Sequence, residues 1–329
     1  MNRPSVHRLL NVSQDFTRPD RGLTLVELMV SIALGLIIVM ATSALLLSTK
    51  AGYLHQDDEA RIQDAGRFAV DLIARSLRTA SFRDWESTEA ASRPGPAVFG
   101  LDARSLRGRT PIIDTPVAKA INGSDVLAIR FSGAGSGENG DGTMLNCAGF
   151  SVSADSAAND AEASRGWSIF YVAEDTTGES ELYCKYRGDD AWTSQAVARG
   201  VESFQVLYGI DTDADGLPEQ FLNATAITAL DKSLGLSIVD GRDRGGKSSW
   251  NSVVAVKFAL LIRGANNTQG GSGTTQYDLF GKGYADMHAA ADPGVRIREA
   301  SLPASVKGRQ RKIFSTTIML PVAASRGAA

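Results

Sequence analysis

The sequence predicts an α+β protein in which one long N-terminal helix, membrane-spanning in its first half, is followed by an antiparallel β-rich head. Three observations predict it. The run from Leu23 to Leu47 is apolar and carries a single charge, Glu27. No proline occurs between Pro19 and Pro94, and beyond the apolar run Ile62, Ala65, Ala69, Leu72, Ile73 and Leu77 keep a 3.6-residue period. After Pro94 the pattern switches to short runs rich in β-branched and aromatic residues, bounded by Gly, Asn and Asp.

The apolar run exceeds the roughly 20 residues a helix needs to cross the hydrocarbon. Arg3, Arg8, Arg18 and Arg21 precede it and Asp57, Asp58 and Glu59 follow it, so the positive-inside rule places the N-terminus in the cytoplasm and the head in the periplasm. The run is too long for a secretory signal, and no small-residue cleavage site follows Leu47. Glu27 costs roughly 2.5–3.5 kcal/mol there, even on the lenient insertion scales, which points to a task for it.

The periodic stripe beyond the membrane predicts that the helix continues unbroken from Leu23 to about Ser81 and lays this stripe on a globular head. Six runs then read as strands of an antiparallel sheet: Val126 to Phe131, Trp167 to Glu174, Glu181 to Arg187, Val201 to Ile210, Val253 to Arg263 and Ile313 to Pro321. The Gly/Asn/Ser-rich stretches 133–142 and 264–273 read as loops.

Composition excludes several classes. Hydrophobic residues make up 43% of 329, enough for a real core and against disorder throughout. A basic start and a mildly acidic body argue against nucleic acid as partner. The three histidines, His7, His55 and His288, offer no Ser-His-Asp or HExxH spacing, so the chain is read as no enzyme and needs no cofactor. Gly241 to Ser248 satisfies the P-loop expression, but the run that follows reads as a strand where phosphate binding needs a helix. Gly135, Gly137 and Gly140 match GxGxxG, again with no helix after them.

The two cysteines, Cys147 and Cys184, lie in the strand-rich part outside any CxxC or Cys/His cluster. In an oxidising compartment they read as one structural disulfide, with two buried free thiols as the alternative. Asp211, Asp213 and Asp215 followed by Gly216 resemble a calcium loop. Glu219 stands in for the usual twelfth-position acid, where Leu222 is found, and the carbonyl of Leu217 supplies a fifth ligand. An Asx-rich turn capped by its own carboxylates accounts for the same residues.

At the apolar run the residues RGLTLVELMVSIALG resemble the class III leader junction of type IV prepilins and pseudopilins. The resemblance implies cleavage by prepilin peptidase after Gly22, N-methylation of Leu23, and pairing of Glu27 with the terminal amine of a neighbouring subunit. Leu23 departs from the usual Phe. It also implies an organisation: leader 1–22, transmembrane helix 23–47, periplasmic half of the helix 48–82, and a type IV pilin-like head 83–329.

The order NCAGF, a Trp-led strand, ELYCKYR, VESFQVLYGIDTDADG and VVAVKFALLIRG is similar to the PilW family of minor pilins. That resemblance implies a subunit that primes pilus assembly near the tip. Its implied partners are the major pilin, minor pilins of the PilV, PilX, PilE and FimU types and a PilY-type adhesin. It implies residence in the inner membrane and then in the extracellular pilus. A minor pseudopilin of a type II secretion system shares the leader, helix and sheet, and a signal-anchored periplasmic binding domain is the reading from another class.

Overall fold

The computed structural model describes residues 22–80, 82, 96–135, 137, 140–154, 166–188, 191–236, 247–268 and 273–321. Two compact units divide the chain, residues 1–52 and 53–329.

The first unit contains the start of helix α1 (Leu25–Arg78). Every described residue from Gly22 to Gly52 is exposed, and the helix is long and apolar enough to cross a membrane. The helix starts two residues later than the apolar run because Thr24 caps it. It ends at Arg78, short of Ser81, where Thr79 N–H and Ala80 N–H bond back to the carbonyls of Ser76 and Leu77 in a tightened last turn.

The second unit holds the rest of α1 and three antiparallel sheets. A five-stranded sheet runs in the order β1 (Val98–Leu101), β2 (Val126–Phe131), β3 (Gly166–Glu174), β4 (Ser180–Arg187) and β5 (Trp192–Arg199). A four-stranded sheet runs β11 (Arg311–Met319), β8 (Val253–Arg263), β6 (Val201–Ile210), β7 (Gln220–Leu222). Strands β9 (Gln276–Asp278) and β10 (Arg296–Arg298) form a third, small sheet. Among the described residues the unit also holds two short α-helices, α2 (Ala224–Ser233) and α3 (Lys282–His288).

The six runs expected as strands of one sheet fall in two of these sheets. The split occurs at Gly200. Its φ of +76° lets the chain leave the edge strand β5 and start β6 against β8, and a Cβ there would come within 2.6 Å of the Arg263 carbonyl oxygen. Strands β1, β5, β7, β9 and β10 were not expected. Three of them are three residues long, and β5 (WTSQAVAR) is polar and half-exposed, so the apolar period-two signal is faint.

The stripe on α1 does enter the core. Ile62, Ala69, Ile73 and Leu77 are buried with Val98, Phe170, Phe204 and Phe258, while Ala65 and Leu72 flank them half-buried. Gly66 lets the helix close on β11, because a Cβ there would sit 2.3 Å from the ring of Phe314. Asp58, on the same side, is buried and accepts bonds from Ala265 N–H (3.2 Å), Asn266 N–H (3.1 Å) and Asn266 Nδ2 (2.9 Å). That ties α1 to the chain leaving β8.

One buried ionic group joins three strand ends. Glu202 on β6 faces Arg263 of β8 (Nε–Oε1 3.0 Å) and Arg311 of β11 (Nε–Oε2 2.6 Å), with all three side chains at most 4% exposed. Arg311 also donates to the Val306 carbonyl at 2.6 Å. The insertion between β8 and β11 carries β9, α3 and β10 and its own small core of Leu279, Ile297 and Leu302 against Ala259 and Leu261.

Candidate functional site

The N-terminal junction is built by local hydrogen bonds. Thr24 is the last non-helical residue, and its carbonyl accepts Leu28 N–H at 3.1 Å. Its hydroxyl accepts Glu27 N–H (3.3 Å), while Glu27 Oε2 accepts Thr24 N–H and the Thr24 hydroxyl, both at 3.0 Å. This is a capping box, which satisfies two of the orphan donors that open a helix. Gly22 and Leu23 lie outside the helix and exposed, Leu23 at 78%, so the bond between them is in exposed, non-helical chain before a sharply started helix. A peptidase needs that access. Residues 1–21, with the four arginines of the basic start, lie outside the described residues.

Glu27 was singled out from the sequence for its cost in hydrocarbon; Thr24 was not, although Thr-x-x-Glu before an apolar run is the capping-box signature. Asp58 was read only as one of three acidic residues flanking the membrane run. The structure separates them: Asp57 pairs with Arg61 at 2.9 Å on the surface, Glu59 is exposed, and Asp58 anchors the helix.

Cys147 and Cys184 form a disulfide across a sequence separation of 37. Cys184 lies on β4 opposite Phe170 of β3. Cys147 belongs to a turn in which its N–H donates to Ser168 Oγ at 2.9 Å. Both are buried, at 4% and 0% exposure, so the bond is structural, holding the 144–152 turn to the sheet. The chain-entropy model gives about 4 kcal/mol for a loop of that length.

After β6 the carboxylates of Asp211, Asp213, Asp215 and Glu219 bring one ligand atom each within 4.8 Å of one another. They also hold the loop's own backbone. Asp211 accepts Ala214 N–H (2.6 Å) and Gly216 N–H (3.0 Å), Asp213 accepts Asp215 N–H (3.1 Å), Asp215 accepts Leu217 N–H (2.7 Å) and Glu219 accepts Thr212 N–H (2.6 Å). Ala214 and Gly216 take φ of +67° and +87° to allow the turn. Asp211 is buried and the other three are exposed.

The two nucleotide-like motifs sit in other settings. Of Gly241 to Ser248, residues 241–246 lie outside the described residues. The Ser248 hydroxyl donates to Asp231 Oδ2 at 2.6 Å and accepts Trp250 N–H, and a single 3₁₀ turn (Ser249–Ser252) leads directly into β8. Gly135, Gly137 and Gly140 belong to a loop closed by Asp141 N–H to the Ala134 carbonyl and Ala154 N–H to the Gly135 carbonyl. Among the described residues, no α-helix directly follows either one. His55 is exposed on α1 and His288 stacks on Tyr284 at the end of α3.

A further group sits at the N-terminus of α2. Asp102 accepts Ala224 N–H (3.0 Å) and Thr225 N–H (2.6 Å) beside the N-cap Asn223. Asp125, at the start of β2, accepts Ala103 N–H and Val206 N–H. Asp292, from the insertion, accepts the Tyr284 hydroxyl. Scattered through the sequence, these three aspartates carry no common spacing by which they could have been found.

The family model of Type IV Pilus-assembly protein W matches residues 169–321, and that of the prokaryotic N-terminal methylation motif matches residues 17–43. No curated protein matches the chain. Among solved structures, a type IV-like pilin from Thermus thermophilus is similar at 16% identity and a TM-score of 0.38, covering 79% of this chain and 97% of that one.

Proposed function

This chain belongs, through residues 169–321, to the family of Type IV pilus-assembly protein W and carries the methylation motif over residues 17–43, and from that premise we propose that it is a minor pilin that helps to initiate pilus assembly. Its leader is removed by prepilin peptidase after Gly22, Leu23 becomes the methylated N-terminus, and the subunit is held in the inner membrane until it enters the pilus near the tip. Its partners are the major pilin, minor pilins of the PilV, PilX, PilE and FimU types and a PilY-type adhesin. The observation that carries this reading is the junction: an exposed, non-helical Gly22–Leu23 pair directly before a capped helix whose apolar run to Leu47 holds Glu27 as its single charge.

Glu27 then has two tasks. In the single chain it closes the capping box through Oε2. In the filament it pairs with the amine that leader removal creates on a neighbouring subunit. Gly22→Ala should leave the leader attached, and mass spectrometry of the wild type should find a chain beginning at Leu23. Any other mature N-terminus overturns the junction. Glu27→Ala should insert normally, since it removes a charge from hydrocarbon, and fail to enter pili. Deletion should lower the number of surface pili. A secretion defect with normal piliation would assign the chain to a type II secretion pseudopilus instead.

We also propose that the 211–219 loop binds one calcium ion through Asp211, Asp213, Asp215 and Glu219, with the Leu217 carbonyl completing the set. What favours it is four hard oxygen donors drawn to one place in a loop whose mutual repulsion a divalent ion would relieve.

A further inference from the structure

The Asp292 carboxyl is buried at 2% exposure. Its Oδ2 accepts the Tyr284 hydroxyl at 2.9 Å. Its Oδ1 is buried and has no hydrogen-bond partner among the described residues. An ionised carboxylate offers about four lone-pair sites and no donor, so leaving one oxygen dry and unbonded is costly.

The surroundings make the charge more costly still. Asp102, after β1, and Asp125, at the start of β2, both act electrostatically on this junction. Tyr208 of β6 places a buried hydroxyl there, itself without a hydrogen-bond partner and within the field of Asp102 and Asp125. From α3 come Tyr284 and His288, and from the N-cap of α2 comes Asn223. His288 is the one group among these able to carry positive charge, and it lies at the exposed end of α3 stacked 4.3 Å from the Tyr284 ring. Asp102 already serves two N–H groups of α2 and Asp125 serves two N–H groups with its two oxygens. Asp292 is the member with a vacant oxygen.

We propose that Asp292 is a buried proton-binding site: its Oδ1 carries a hydrogen in the folded head, and loss of that proton to solvent loosens the β9–α3–β10 insertion from the N-terminus of α2. Burial, the largest cause, pushes the Asp292 carboxyl above the usual carboxylate range; the Tyr284 hydrogen bond opposes it next in size, Asp102 adds to the rise, and Asn223 and His288 oppose it less. A carboxyl whose folded pKa is raised contributes stability that is present in acid and is lost as pH rises through the folded value. The insertion is thereby tightest at low pH. This inference concerns the head alone and does not depend on how the leader is processed or where the subunit assembles.

The test uses the full chain in detergent micelles. Infrared spectra at mildly acidic pH should show the carbonyl stretch of a protonated carboxylic acid that disappears in Asp292→Asn and, in the wild type, on titration to alkaline pH. Melting temperatures compared between pH 5 and 8.5 should fall for the wild type relative to Asp292→Asn by roughly 2–4 °C. If Asp292→Asn does not fold, Tyr284→Phe replaces it; removing the donor to Oδ2 should move the disappearance of the band to higher pH. A wild type with no such band, a band abolished by Asp125→Asn and kept by Asp292→Asn, parallel melting profiles, or an unmoved band in Tyr284→Phe each overturns the proposal.

Discussion

In the apolar start of α1 every described residue is exposed and Glu27 takes its hydrogen bonds from Thr24, three residues away. Further along the same helix, in the head, Asp58 is buried and takes its bonds from Ala265 and Asn266, 207 and 208 residues away. One carboxylate caps a stretch of α1 whose described residues are all exposed; the other fixes the same helix to a folded core. The first region is complete in its backbone and incomplete in its surface, since its apolar side chains need hydrocarbon or other helices to cover them. The head buries a large apolar core of its own and pairs Glu202 inside it with Arg263 and Arg311.

The comparison is broken most severely at the buried ion group. Arg311→Met leaves Glu202 with one of its two arginines, and removing one partner of a buried ion pair costs about 3–5 kcal/mol. Chemical denaturation of the full chain in micelles should show that loss in the head, with leader removal and membrane insertion unchanged. A loss below 1 kcal/mol would mean that the group is solvated and that the head does not depend on paired buried charge.

Asp58→Ala is the next largest. It removes the three bonds that the buried Asp58 carboxylate accepts from Ala265 and Asn266, and hydrogen bonds to a charged group contribute about 1.5–3 kcal/mol. Hydrogen exchange should quicken at those two amides before it quickens in β6 or β8. If β6 and β8 quicken equally, Asp58 supports the whole unit and is no local anchor.

Thr24→Val sharpens the other side. It removes the hydroxyl that both donates to and accepts from Glu27, and loss of an N-cap costs about 1 kcal/mol. Amide exchange at Val26 and Glu27 should rise roughly fivefold, while the head is untouched. Unchanged exchange there would show that the Glu27 side chain alone sets the helix start.

The sequence made the helix, the membrane run and six long strands legible because each is a repeated local pattern: apolar length for the first half of α1, a 3.6-residue stripe for the second, β-branched runs for the strands. What it hid depends on single long-range meetings. That β6 joins β8 and leaves β5 turns on the backbone of Gly200, and that Asp58 differs from Asp57 and Glu59 turns on which face of α1 meets the chain after β8. The disulfide was readable from cysteine count and compartment. The junction at Asp102, Asp125 and Asp292 draws on three distant segments, and no spacing announces it. Thr24 is the one omission that a known local signature would have supplied.

The acidic loop is where sequence and structure lend support to two chemistries at once, and its expected effect is the smallest. Its carboxylates already accept five backbone N–H bonds, from Thr212, Ala214, Asp215, Gly216 and Leu217, so part of their charge is compensated before any ion arrives. Calcium suits the remaining lone pairs because it accepts six to eight oxygens in flexible geometry, whereas magnesium demands a tight octahedron and keeps its waters. Extracellular calcium modules bind at about 10⁻⁴ to 10⁻³ M, so 1 mM calcium should stabilise the head by roughly 0.4–1.4 kcal/mol through linkage. Melting of the full chain in micelles should therefore rise with calcium over EGTA and rise less with magnesium. Asp213→Ala separates the two readings. It removes an exposed carboxylate whose one hydrogen bond is to Asp215 N–H, so a carboxylate-capped turn would lose little and keep the same small response to either ion. A calcium site would lose its response to calcium selectively. Equal stabilisation by calcium and magnesium, or an unchanged calcium response in Asp213→Ala, removes the ion and leaves a turn held by its own side chains.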